Sequence, residues 1–137
     1  PVQVYEKRHP SVSVLRLVPG MRADIIPMLA PHYRALVLES FGVGGLPGGE
    51  HGAMFAELRR WCESGRLAVF TTQVPHEGCD LAVYEVGRAV GELPGVLEAR
   101  DMTPEAVAVK LMWALGQTTD RTEAMRLFET PVEMDSI

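Results

Sequence analysis

Two stretches of this 137-residue sequence concentrate groups that can bind or react. Thr71-Thr72-Gln73-Val74-Pro75-His76-Glu77-Gly78-Cys79-Asp80 brings hydroxyl, amide, imidazole, thiol and carboxylate side chains into one short segment. Thr72 and Gln73 can hydrogen-bond an amide or an α-carboxylate. His76-x-x-Cys79 with Asp80 raises two sharper chemistries, a metal site and a cysteine nucleophile. Zinc requires three or four convergent N or S ligands, and His9, His32 and His51 show no complementary spacing. A nucleophilic Cys79 needs a base placed beside it in space, which spacing along the chain does not provide. The plain alternative is a polar loop in which Gly78 makes a turn and Asp80 caps the next helix.

The second stretch is Phe41-Gly42-Val43-Gly44-Gly45-Leu46-Pro47-Gly48-Gly49. Its glycines suggest a phosphate-binding loop, but the spacing argues against one. A dinucleotide fingerprint needs glycine three residues after Gly44, where Pro47 stands, and a P-loop needs Gly-Lys-Ser/Thr, which is absent. Two readings stay open: glycines that permit a positive-φ turn and close helix–sheet packing, or a small-ligand loop at a strand end. Just upstream, Glu39 is a carboxylate held in a site, or one that ends in an ion pair or at the solvent edge. Lys110 is the sole charge between Ala106 and Leu115. It is expected to snorkel off its helix, with pairing to Glu39 or Asp101 as the alternative. Trp61, Met112, Trp113 and Leu115 read as core.

The elements that must carry these loops follow from periodicity. Val12, Val14, Leu15 and Leu17 form a β-rich run bounded by Pro10 and Pro19-Gly20, and Met21 to Leu29 reads as a short helix. Ala35-Leu36-Val37-Leu38-Glu39-Ser40 and Leu67-Ala68-Val69-Phe70-Thr71-Thr72 are apolar without alternation, as in strands covered on both faces. Between them, Met54, Leu58, Trp61 and Cys62 recur at helical spacing, with Gly65 as a stop. Asp80 opens a helix through Tyr84, Val86 and Val90, and Val96-Leu97-Glu98 is a further strand. Thr103 as N-cap with Pro104 at the first helical position starts a helix through Trp113 to Gly116, and Arg121 to Phe128 makes a last one. Strands alternating with helices predict an α/β fold, a small open parallel sheet flanked by helices in a flavodoxin-like three-layer sandwich. Ligands gather at the carboxyl ends of such strands, so the Gly42–Gly49 and Gln73–Asp80 loops are expected on one edge.

Composition sets the outer bounds. The length fits one domain, and 47% apolar residues suffice for a core without disulfides or metals. Thirteen basic against eighteen acidic residues give a formal charge of −5, which disfavours capture of nucleic acid or of an anionic membrane. Cys62 and Cys79 make no disulfide framework and fit a reducing, cytoplasmic setting. No run approaches the ~18 apolar residues of a membrane span, and Pro1 to Arg8 has no apolar signal core. With no initiating Met and a linker-like Tyr5 to Pro10, a natural upstream segment is expected. Residues 1–10 then read as linker, 11–130 as the domain and 131–137 as a tail.

Three segments together resemble the C-terminal domain of bacterial L-asparaginases. They are Glu39-Ser40-Phe41-Gly42-Val43-Gly44-Gly45-Leu46-Pro47, Thr72-Gln73 with Tyr84 and Gly87 downstream, and Asp101-Met102-Thr103-Pro104-Glu105-Ala106 continuing to Lys110-Leu111. Their order and spacing match across roughly residues 34 to 117, with Asp-Met-Thr-x-Glu-Ala the most specific. The chain is more similar to the cytoplasmic class, and to the related subunit that hydrolyses glutamine for tRNA-linked amidation, than to the periplasmic class.

The resemblance implies hydrolysis of a side-chain amide through a threonine nucleophile and an acyl-enzyme, with an oxyanion hole and without cofactor or metal. In the family, both essential threonines and the Thr-Asp and Lys that support one of them lie in the larger N-terminal domain. This chain has no Thr-Gly-Gly-Thr segment, and Thr118-Thr119-Asp120 lies outside the matching context, so no catalytic residue is assigned here. The implied partners are that N-terminal domain, a second copy in a homodimer or tetramer, and L-asparagine or a related amide. One loop reaches the neighbouring subunit's active site in the family and matches Gly42-Val43-Gly44-Gly45. Gly44 and Gly45 are therefore candidate substrate contacts in trans, although the family's usual Asn is replaced by Gly45. A regulatory asparagine site in some members matches Ser40 and Thr72-Gln73-Val74, where Val74 replaces a Cys. A free-standing module that binds a small amino acid, and an assembly subunit, are the alternatives from other classes.

Overall fold

Ala35-Leu36-Val37-Leu38 is apolar at every position, and such a run is stable only where both sides of a strand are covered. All four residues have no solvent exposure in the computed structural model, which describes residues 11–40, 46–72, 89–99 and 102–131, the side chains of Glu50 and Thr72 excepted. They belong to β2 (Ala35–Ser40), flanked by β1 (Val12–Arg16) and β3 (Leu67–Thr72), with β4 (Val96–Glu98) beyond β3. Every neighbouring pair is parallel, and the register sets Val12 against Ala35, Ala35 against Leu67 and Val69 against Leu97.

Successive side chains of a strand point to opposite faces. Leu36, Leu38, Ala68 and Phe70 accordingly meet Ile26 of α1 (Ile25–Leu29), the buried Met54, Leu58, Trp61 and Cys62 of α2 (Ala53–Glu63), and Val90. Ala35, Val37, Leu67 and Val69 meet Val107, Leu111 and Ala114 of α3 (Pro104–Gln117) and Ala124 and Phe128 of α4 (Arg121–Glu129). The result is the expected three-layer arrangement. Each fully buried large side chain contributes about 1.5–3 kcal/mol, so the two cores are the main source of stability. Strand order equals chain order. Right-handed crossovers that all step the same way put their helices on one face, which is why α1, α2 and the helical residues 89–91 share a layer and α3 and α4 form the other.

The expected element bounds hold closely except in α1. The Met21-to-Leu29 helix begins instead at Ile25, after Asp24. Pro27 is the reason: it is tolerated in a first turn, but deeper in a helix its ring clashes with the carbonyl four residues back. The expected helix from Asp80 lies outside the described residues apart from its end near Val90. Thr103 caps α3 as expected, accepting from the Ala106 N–H at 3.1 Å, with Pro104 opening the helix.

The amino edge of the sheet is held by arginines on carbonyls. Arg66 donates to Ala30 O (2.7 Å) and Tyr33 O (3.1 Å) and lies 5.4 Å from the Trp61 ring, while the Trp61 indole N–H donates to Leu67 O at 2.8 Å. Arg121 at the start of α4 donates to Cys62 O (2.5 Å) and Arg66 O (3.2 Å). Lys110 does not snorkel. It is buried, donates to Thr130 O at 2.8 Å and sits 5.5 Å from the Phe128 ring, because α4 returns alongside α3 and its last carbonyls receive the cation.

Candidate functional site

β2 and β3 run parallel and end together, Ser40 in register with Thr72. The segments that follow them therefore start at one edge from strands about 4.8 Å apart, as the sequence predicts for the Gly42–Gly49 and Gln73–Asp80 loops. Ser40 is fully buried, and its hydroxyl donates to the Thr71 carbonyl at 3.2 Å; Thr71 is buried as well. This bond ties the two strand ends where the loops depart. Thr72 is the last residue of β3. Gln73, Val74, Gly44 and Gly45 lie outside the described residues, as do His76, Glu77, Cys79 and Asp80.

The first loop is described again from Leu46, which returns into the core at 4% exposure. Gly48 (φ +82°) and Gly49 (φ +70°) take the left-handed conformation, and a Cβ on Gly52 would lie 2.8 Å from Gly48 O. The glycines at this end serve the turn and the close approach that lead into α2. Gly42, like Gly44 and Gly45, is outside the described residues.

Glu39 is half-buried one residue before the strand end, in register with Arg16 on β1 and Thr71 on β3. Cys62 is remote from this edge and inert. Burial pushes its thiol up to about 11, against the opposing pull of the Arg121 charge and with a smaller push from Glu63. It is a thiol at neutral pH and no nucleophile. Thr118-Thr119-Asp120 has a structural job at the opposite edge. Asp120 caps α4 by accepting from the Glu123 N–H (2.9 Å), Thr118 accepts from the Asp120 N–H (3.0 Å), and the Thr119 carbonyl accepts from Arg34 (3.4 Å). Among the described residues no three His, Cys, Asp or Glu converge on a possible metal position, and no helix is long and apolar enough to cross a membrane.

Open parallel sheets make a ligand crevice where strand order reverses. The four described strands do not reverse. Their carboxyl edge instead presents two adjacent loop origins, after Ser40 and after Thr72. The bond from Ser40 to Thr71 is what sequence reasoning missed, since a side chain and a carbonyl 31 positions apart meet only through strand register.

The glutaminase/asparaginase C-terminal domain model matches residues 11–128. An L-asparaginase from Thermococcus kodakarensis is 40% identical over 120 residues, which cover 88% of this chain and 36% of that protein. A glutamyl-tRNA(Gln) amidotransferase subunit from Pyrococcus furiosus is 33% identical over 130 residues, 94% of this chain and 28% of that protein. Among solved structures, the thermostable L-asparaginase from Thermococcus kodakarensis superposes with a TM-score of 0.81 at 38% identity, covering 90% of this chain and 37% of that one. The chain thus spans about a third of the length of the relatives it matches.

Proposed function

Because this chain belongs to the glutaminase/asparaginase C-terminal domain family, we propose that it is the C-terminal domain of a cytoplasmic L-asparaginase, which hydrolyses L-asparagine to L-aspartate and ammonia. On this reading residues 11–130 form the domain, with 1–10 as linker and 131–137 as tail. A separate N-terminal domain carries the catalytic threonines, and the chain by itself is inactive. The observation that carries the reading is the pairing of 40% identity to an L-asparaginase over 88% of this chain with only 36% coverage of that relative. The described residues fit a supporting part. Ser40 and Thr72 end two neighbouring strands at one edge, where the two loops begin.

In the assembled enzyme, Gly44 and Gly45 line the active site of the neighbouring subunit of a homodimer. Ser40, Thr72, Gln73 and Val74 form a regulatory site for a small amino acid. Ser40 takes part through the strand ends, since its hydroxyl is buried against Thr71. A second reading is the matching domain of a glutamine-hydrolysing tRNA amidotransferase subunit, favoured by 33% identity to an amidotransferase subunit over 94% of this chain.

Ammonia release from L-asparagine and from L-glutamine tests both, comparing this chain alone with the longer polypeptide that supplies the N-terminal domain. Release only from the longer protein supports the divided site, and the preferred amide separates the two readings. Release by this chain alone overturns it. No release by either, with saturable asparagine binding by the short chain in a titration, assigns a free-standing sensor instead.

A further inference from the structure

A sheet edge is a row of unpaired backbone groups, and folded proteins blunt it with a very short strand, charge, proline, a bulge or a cover. β4 is blunted by its length of three residues. β1 is not: it has five, and its one charge, Arg16, stands at the end. The Leu17 N–H donates to Glu39 O at 2.9 Å and the Ala35 N–H to Ser11 O at 3.1 Å, so the odd-numbered residues on this stretch turn their backbone groups to β2. Alternation turns those of Val12 and Val14 the other way, where they meet no partner among the described residues. Val14 is 44% exposed, and on the α1 side of the sheet Leu15, Ile25 and Leu29 are only partly buried.

We propose that residues 2–6 of this chain cover that edge as an antiparallel strand, as edge strands of otherwise parallel sheets often are. Three features select this segment. Val2, Val4 and Tyr5 are strand formers, and Val2-Gln3-Val4-Tyr5-Glu6 contains neither Gly nor Pro. Lys7-Arg8-His9-Pro10 separates it from Ser11 at the foot of β1, a connection of hairpin length, whereas a parallel return would need a crossover of a dozen or more residues. The third feature is register. With that connection Tyr5 falls opposite Val12 and Gln3 opposite Val14, the two residues whose backbone groups face outward. Val2 and Val4 then lie on the face where Leu15, Ile25 and Leu29 lack full cover, and a slip of one residue would turn both valines to the other face.

An antiparallel strand enters the domain at the carboxyl end of β1. Polypeptide upstream of Val2 is then held at the edge where Ser40 and Thr72 end their strands, instead of trailing from the amino edge on a free tether. The proposal goes beyond the proposed function and rests on β1 and residues 2–6 alone. No hydrolysis enters its test, so that test and the ammonia assay fail independently.

Amide hydrogen exchange of the intact chain, read residue by residue by NMR, is the test. The Val14 N–H should exchange about 100-fold or more slowly than a solvated amide, as a bond that breaks only by local opening does. Gln3→Pro removes the N–H that reaches Val14 O and should cut that protection about 10-fold or more, the effect of losing one ladder bond. Val4→Pro removes an N–H that points away from β1, which an edge strand tolerates, and should leave most of the protection in place. The Val37 and Val69 amides, inside the sheet, should stay protected in both variants and so report that the domain is folded. An unprotected Val14 in the unsubstituted chain overturns the proposal. So does protection that survives Gln3→Pro, or that Val4→Pro removes equally. Protection that grows with protein concentration also overturns it, assigning the edge to a second copy.

Discussion

Lys110 Nζ lies 2.8 Å from the carbonyl oxygen of Thr130, so a cation buried in α3 closes the carboxyl end of α4. The two helices are joined by a short turn at Thr118–Asp120 and, between the middle of α3 and the carboxyl end of α4, by this bond.

Replacing Lys110 with Met keeps the stem and removes the charge. Thr130 is exposed and its carbonyl can be hydrated, so the loss should be modest, about 1–2 kcal/mol, as for a hydrogen bond from a charged donor. Lys110→Ala also leaves a gap beside Phe128 and should cost about 2–4 kcal/mol. Urea denaturation checks both. A more stable Lys110→Met would show that burying the ammonium costs more than the bond returns.

Gly20 and Gly95 share a backbone conformation, φ +81° and +83°, but not surroundings. A Cβ at Gly20 meets nothing within 4 Å, whereas at Gly95 it lies 2.7 Å from Arg66 O, the carbonyl that Arg121 also grips. Gly20→Ala should cost about 1 kcal/mol, the left-handed penalty alone. Gly95→Ala should cost at least about 2 kcal/mol more, because the clash is with backbone. Equal unfolding midpoints for the two variants would mean that the amino edge yields easily.

The Cys62 thiol gives a pH signature. Burial holds it protonated to about 11, while in the unfolded chain it ionises near 9.0. The stabilisation is complete below pH 9 and is lost as pH rises towards 11, because the unfolded state releases its proton first. The limiting slope is about 1.4 kcal/mol per pH unit. Comparing urea midpoints of wild type and Cys62→Ala between about pH 8 and pH 10.5 isolates this contribution from other groups that titrate there. Parallel curves would show that the thiol gains solvent access before unfolding.

Much of the fold is legible in the chain because its signals are local. Ala35 to Leu38 and Leu67 to Phe70 are apolar at both parities, which only a sheet covered on both faces explains. Met54, Leu58, Trp61 and Cys62 stand at helical spacing and are the four buried residues of α2. Thr103-Pro104 marks the start of α3 to the residue. Hydrophobic spacing alone starts α1 too early, because it takes no account of the ring of Pro27. The fate of Lys110 is not legible, since it depends on where α4 returns. At the candidate site, parity and strand direction put Ser40 and Thr72 at one edge, but the bond from Ser40 to Thr71 depends on register, which no short spacing encodes.

Strand order that repeats chain order also dictates how the domain can be assembled as it emerges from a ribosome. Each new strand finds its partner already in place, and α1, α2 and Val90, all made before β4, cover the Leu36–Phe70 face. The opposite face, with Val12, Ala35, Val37, Leu67 and Val69, stays bare until α3 and α4 are synthesised. A nascent chain that stalls before Thr103 therefore carries a sheet finished on one side and sticky on the other, the kind of species chaperones capture. Residues 104–129 thus decide whether the sheet that precedes them keeps a bare apolar face.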